Sequence, residues 1–217
     1  GSYLSSATLA DECAGMRRDP IVLFDNGTHR CMMFDDLVSG EGVQSNQFLI
    51  IDHDQYLLLD PGGDLTYVPL TMELSRHIPV QELTYIFASH QDPDIIASLD
   101  KWLLHTRAQV ICSKLWARFL PHLTANYLAL SRGINTYERI IALPDRGQSF
   151  AVGRCTLKAV PAHFLHSVGN FQLYDPLSKI LFSGDMGASM LDDSGPVADF
   201  AAHVPSMLGF HRRYMAS

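Results

Sequence analysis

The stretch "FASHQDPDIIASLDKWL", residues 87–103, sets His90, Asp92 and Asp94 on alternate positions just behind an apolar run of Tyr85, Ile86, Phe87 and Ala88. Side chains at i, i+2 and i+4 share one side of an extended chain, and they converge as the chain turns into a helix. An imidazole and two carboxylates form a mixed nitrogen and oxygen donor set. Such a set suits iron, manganese or zinc, and the excess of hard oxygen leans toward the first two. Two carboxylates this close repel, and one tends to hold a proton unless a cation separates them. The plain alternative is a solvated helix N-terminus with Asp92 and Asp94 as caps, which on this stretch alone is the commoner arrangement.

Two further stretches offer donors of the same kind. In "VPAHFLHSVGNFQLYD" a strand ends at Pro161, and His163 and His166 occupy a polar turn before another strand. A histidine at a strand end is a frequent metal ligand, and composition does not choose between these two. In "KILFSGDMG" a buried strand delivers Asp185 between Gly184 and Gly187. Small neighbours allow close approach, and a carboxylate can bridge two ions through its two oxygens. Each stretch has an ordinary reading as a turn or surface loop. Jointly they give strand–HxDxD–helix, strand–His, strand–Asp, with every candidate ligand closing a strand.

The elements that must position these residues read as follows. "PIVLFDN" and "CMMFDD" are short strands around the polar turn "NGTH", and "NQFLIIDHDQYLLLDPGG" is a hairpin pivoting on "DHD". Residues 67–78 are expected to be helical. "LTYIFAS" is a buried strand, and Pro93 suits the first turn of the helix after it because no donor is needed there. "AQVICS" is a strand, and "KLWARFLPHL" a helix interrupted by Pro121. From residue 139 strands return ("RIIALP", "QSFAVG", "TLKAVPA", "NFQLYDP", "KILFSGD"), and 197–216 reads as helix. No repeat or linker divides residues 3–217, so one domain is expected. Two packed sheets with helices outside, an α/β layered sandwich, are the fold class this order implies. Gly1–Ser2 reads as a remnant of cloning. The closing "FHRRYMAS" stops inside a helical pattern without a cap, so the native chain is expected to continue.

Composition narrows the class of function. The chain has 217 residues, 47% hydrophobic and 18% charged, with a formal net charge of −7. That balance argues against a nucleic-acid surface, and no run of five basic residues occurs. No apolar stretch approaches a membrane span. Cys13, Cys31, Cys112 and Cys155 lie far apart, giving neither a zinc-thiolate knuckle nor a dense disulfide framework, and a reducing cytoplasm is the simpler setting. His29, His53, His77, His105 and His122 read as structural or exposed, and Trp102 and Trp116 as core.

With those motifs in place, the sequence resembles the metallo-β-lactamase superfold, and within it the diiron branch of flavodiiron proteins and flavin-less oxygen-binding diiron proteins. That branch carries H-x-[E/D]-x-D after a strand, then a His, then a bridging Asp at a later strand end. Asp60-Pro-Gly matches the D-x-G-like turn of the superfamily, and "FDNGTHRCMMFDD" is similar to the opening of the branch. The resemblance implies a four-layer αββα sandwich. It implies that His90, Asp92 and His163 hold one metal, Asp94 the other, and Asp185 both. "PAHFLHSVG" resembles the family's "PGHTPGSVG", which selects His163 over His166. Hydrolytic members have histidine where this chain has Asp92 and Ile95, and losing both imidazoles favours iron over zinc hydrolysis. The family's last His ligand lies beyond a helix resembling "GFHRRYMAS", past the end of this sequence, where His211 or His203 are the substitutes at hand. His166, Tyr174 and His211 are the candidates for supporting the ligands.

The resemblance therefore implies two iron ions, with manganese or zinc as alternatives, and no FMN within this chain. Its expected ligand is dioxygen or nitric oxide, bound by an oxygen sensor or by a diiron oxidoreductase that takes electrons from a partner. A redox partner or signalling domain, a homodimer and a cytoplasmic location complete the expectation. The alternatives are a zinc or manganese hydrolase of the same fold and a metal-poor scaffold acting through protein contacts.

Overall fold

The computed structural model describes residues 19–35, 37, 46–90, 93–120, 136–162, 170–184, 187–192 and 195–196. The first sheet begins as an antiparallel meander: β1 (Ile21–Asp25), β2 (His29–Phe34), β3 (Gln47–Asp52) and β4 (Gln55–Leu59). It continues in parallel through β5 (Tyr85–Phe87), β6 (Gln109–Ser113) and β7 (Ile140–Leu143), in strand order β1-β2-β3-β4-β5-β6-β7. Parallel neighbours need crossovers, and helices supply them. α1 (Asp64–Leu74) joins β4 to β5, α2 (Pro93–His105) joins β5 to β6, and residues 114–120 are helical after β6.

The second sheet is antiparallel: β8 (Gln148–Val152), β9 (Cys155–Pro161), β10 (Phe171–Asp175), β11 (Ile180–Phe182), β12 (Ala188–Asp192) and β13 (Gly195–Pro196), in order β13-β12-β11-β10-β9-β8. Two apolar layers hold the parts together. Between the sheets lie Met33, Phe48, Ile50, Leu57, Leu59 and Phe87 against Leu157, Leu173, Ile180 and Phe182. On the other face of the first sheet, Met32, Leu49, Leu58 and Ile86 meet Leu70 and Leu74 of α1 and Leu99 and Trp102 of α2. The alternating side chains of β2 and β3 feed both layers, which is why these central strands are apolar throughout.

The described residues thus make three layers, helices–sheet–sheet. The helix expected over 197–216, which would make the fourth, lies outside them, as do Pro121 and His122. Most elements fall where the sequence puts them, with three corrections. His29 opens β2 instead of belonging to the turn, because Asn26 Oδ1 accepts the backbone N–H groups of Thr28 and His29 and closes the turn one residue earlier. α1 runs from Asp64 to Leu74, not 67–78, tolerating Pro69 inside it. The strands β12 and β13 follow "FSGDMG", in a stretch to which the sequence assigns no element.

Arg139 closes α2 from outside. Its guanidinium donates to the carbonyls of Leu103, Thr106 and Ala108 at 3.2, 2.9 and 2.8 Å. Leu103 and Thr106 lie at the helix C-terminus, which leaves such acceptors open, and Ala108 lies in the connection that follows.

Candidate metal centre

Because β5 is parallel to β4, Asp60 and His90 emerge at the same end of the first sheet. β9 ends and β10 starts there as well. Phe171 N–H donates to Ser89 C=O at 2.8 Å, and Ala162 N–H to Asn170 C=O at 2.9 Å. β11 also ends there, since Gly184 packs against Ser89 and Asp60. A Cβ on Gly184 would lie 2.5 Å from Ser89 Oγ and 3.0 Å from Asp60 Oδ2, and its φ of +64° also favours glycine.

The side chains at this end form a directed chain. Asp60, buried and held at φ +52°, accepts Ser89 N–H at 2.9 Å and Ser89 O–H at 2.6 Å. Ser89 Oγ is 2.9 Å from His90 Nδ1. A hydroxyl has one proton, and here it points to Asp60 Oδ2. Toward His90 the hydroxyl oxygen must therefore accept, which places the ring proton on Nδ1. In the neutral ring Nε2 then carries the lone pair, one of the two ring atoms through which histidine ligates a metal. His90 thus fits a metal ion on a local physical ground.

Of the other expected ligands, Asp94 lies in the first turn of α2, directly behind Pro93, and its side chain is outside the described set. Asp92, His163 and Asp185 are outside it too, as are His166, His203 and His211. Their described chain neighbours, Ala162 and Gly184, both belong to the strand ends gathered around Ser89. Tyr174 sits in β10 on the face opposite Leu173 and Asp175, about 10 Å along the strand from Phe171. Ile95, where hydrolytic relatives carry a histidine, is 2% exposed in the apolar layer beneath α2.

From the sequence Asp60 reads as a turn residue and Ser89 as the last residue of the buried strand "LTYIFAS". The readable clue was a hydroxyl residue directly before the candidate ligand, with a buried-strand aspartate one crossover earlier.

Among the described residues, the one cluster with metal-ligand character lies at the opposite end of the sandwich. There His29 of β2 is wholly buried, its Nδ1 2.8 Å from Asp52 Oδ1 and its Nε2 2.5 Å from Asp175 Oδ2. Histidine 29 is therefore structural, as expected, but it pairs with two carboxylates from different sheets. Burial opposes charge on the ring, yet the hydrogen bonds and charges of Asp175 and Asp52 outweigh it and raise the His29 pKa. Burial likewise pushes Asp175 up, but His29 and Ser178 hold it at about 2. Asp175 also accepts from Ser178 Oγ at 2.7 Å and Leu177 N at 3.0 Å, and the thiols of Cys31 and Cys155 touch it at 3.4 and 3.5 Å. Sequence spacing had separated these cysteines; the packing of β2 against β9 and β10 unites them.

Comparison with known proteins follows the same lines. Residues 43–217 match the family described as ODP family beta lactamase. The chain belongs to that family. Two solved structures of the chemotaxis sensor ODP are similar to it. One, described as a peroxy diiron species, is 38% identical, covers 88% of this chain and 74% of its own, and has a TM-score of 0.64. The other, the apo state from T. denticola, is 36% identical over 89% of this chain and 74% of its own, with a TM-score of 0.65. An uncharacterized protein of Methanocaldococcus jannaschii is 28% identical over 144 residues, 66% of this chain and 34% of its own length. The chain thus spans about a third of that curated relative. The metallo-β-lactamase-type diiron branch is the fold to which these matches assign it.

Proposed function

We propose that this chain is a non-haem diiron protein that binds dioxygen and serves as an oxygen sensor. Residues 3–217 act as one domain, with iron held by His90, Asp92, Asp94, His163 and Asp185. The observation that carries the reading is the Asp60–Ser89–His90 chain, which fixes the metal-binding tautomer of His90 at the strand end the family motif occupies. The 38% identity to a sensor solved as a peroxy diiron species supports the same ligand and metal.

When bound, the irons would supply the reducing electrons and the open coordination positions for oxygen. The protein's part is positional. His90 would present Nε2 while Ser89 retains the Nδ1 proton, and Asp60 keeps Ser89 turned. The carboxylates of Asp92, Asp94 and Asp185 would offset the charge of two dications. Gly184, having no Cβ, leaves room for Ser89 and Asp60. Ile95, apolar and buried, adds no imidazole beneath the site, which favours oxygen chemistry over hydrolysis.

To test the reading, anaerobic protein is loaded with Fe(II), two irons per chain are confirmed, and O₂ is admitted. A new visible absorption is expected. Its absence with both irons present overturns the proposal.

The finer parts of the reading are a signalling or redox partner, a cytoplasmic location and a homodimer. Among the described residues no helix is long and apolar enough to cross a membrane. Leu65, Val68 and Met72 form an exposed apolar stripe at i, i+3 and i+7 on α1, which supports contact with a second copy. Light scattering of the wild type and of Val68→Lys tests it; a monomer in both cases removes the dimer from the proposal.

A further inference from the structure

The cluster at the far end of the sandwich has the composition of a closed metal site. His29 Nε2, Cys31 Sγ and Asp175 Oδ2 form a triangle with sides of 2.5, 3.4 and 3.8 Å. Around a tetrahedral zinc with bonds of about 2.0–2.3 Å, donor atoms stand roughly 3.3–3.8 Å apart. The two edges that involve sulfur already have that length, and the His29–Asp175 edge would open by less than about 1 Å. Asp52 holds His29 Nδ1 at 2.8 Å, the carboxylate–histidine support that aims Nε2 at a metal. Asp52 is itself fixed by Arg154 N–H at 2.7 Å. Ser178 Oγ, 2.7 Å from Asp175 Oδ2, is the neighbour from which a fourth donor comes.

We infer that His29, Cys31 and Asp175 form a structural site for one thiophilic divalent cation, with zinc as the natural occupant, at the end of the sandwich opposite His90. Sulfur and imidazole beside a single carboxylate oxygen select such an ion over calcium or magnesium. Entry of M²⁺ expels two protons, one from His29 Nε2 and one from the Cys31 thiol, so the charge of the buried cluster is unchanged. Complete burial of His29, Cys31 and Asp175 marks the site as closed and structural, filled as the chain folds.

The probe is Co(II), whose bond to a thiolate gives an intense near-ultraviolet charge-transfer band that nitrogen and oxygen ligands do not. Full-length protein is refolded with one equivalent of Co(II), in the wild type, in His90→Ala and in Cys31→Ala. The band is expected in the first two and absent from the third. Elemental analysis of His90→Ala after zinc refolding and dialysis against chelator should give about one zinc per chain, at least tenfold more than in Cys31→Ala. Circular dichroism establishes that each variant is folded, and Cys31→Ser replaces Cys31→Ala if the latter is not. No band in the wild type, or a band that survives loss of Cys31, overturns the site and leaves a plain ion-pair clamp. The outcome is independent of iron at the other end, because the band requires sulfur.

Discussion

Both ends of this sandwich gather histidine and aspartate at strand termini, yet they are built oppositely. At the far end, His29, Asp52 and Asp175 come from three strands and face inward, so donors and acceptors meet each other inside the protein. About 17 Å away, five residues along β4, Asp60 and Ser89 face a half-buried His90 and settle which ring nitrogen bears the proton. The first arrangement spends its polar groups on joining two sheets. The second spends them on aiming one side chain. Polar residues at strand ends therefore say little by themselves: at one end the hydrogen bonds close on one another, and at the other they orient a single imidazole.

The sharpest way to break this contrast is His90→Ala. It should abolish the oxygen-dependent absorption and lower iron from two per chain to one or none, with an unfolding midpoint in metal-free protein close to wild type. A large loss of stability there would mean that His90 is a structural residue after all. Next comes His29→Ala, which leaves two buried carboxylates without their cation. Removing one partner of a buried ion pair costs about 3–5 kcal/mol, to be read from urea unfolding of metal-free protein. Iron binding in the folded fraction should be retained.

Ser89→Ala sharpens the comparison at a smaller scale. Losing the group that sets the His90 tautomer should weaken iron binding roughly 10–100-fold, seen by chelator competition, and Ser89→Thr should recover part of it. The smallest effect concerns a histidine outside both ends. His77, beside Phe34, is lowered below its ordinary value by burial and then by Arg30 and Arg76. The unfolded chain then takes up a proton first, so His77 subtracts stability as pH falls from 6.5 through the lowered folded value. Urea unfolding at pH 7 and pH 5 should show a shallower acid loss in His77→Phe than in wild type. Equal losses would place the acid sensitivity elsewhere.

Much of the fold was readable. Alternation and turn chemistry located β3 and β4 around His53, whose φ of +53° marks the tight turn, and Pro93 marked the start of α2. Strand β12 was hidden because "ASMLD" is short and only half apolar, and its pairing with β11 is a tertiary matter. At the candidate centre, His90 and the order of the motifs were legible, whereas the Ser89–Asp60 support depends on a parallel pairing no local pattern reveals. The far cluster joins residues 146 positions apart. A trace of it was present even so: His29 and Cys31 fall in phase with Met33, and Asp175 in phase with Phe171 and Leu173, so ionisable groups occupied the inward rank of two strands.

The bond from Phe171 N–H to Ser89 C=O has a mechanical meaning. This amide tie spans the sheets at a fixed point, one residue from the imidazole. Any shear of one sheet over the other loads that tie directly, so the backbone beside His90 is pinned to both sheets.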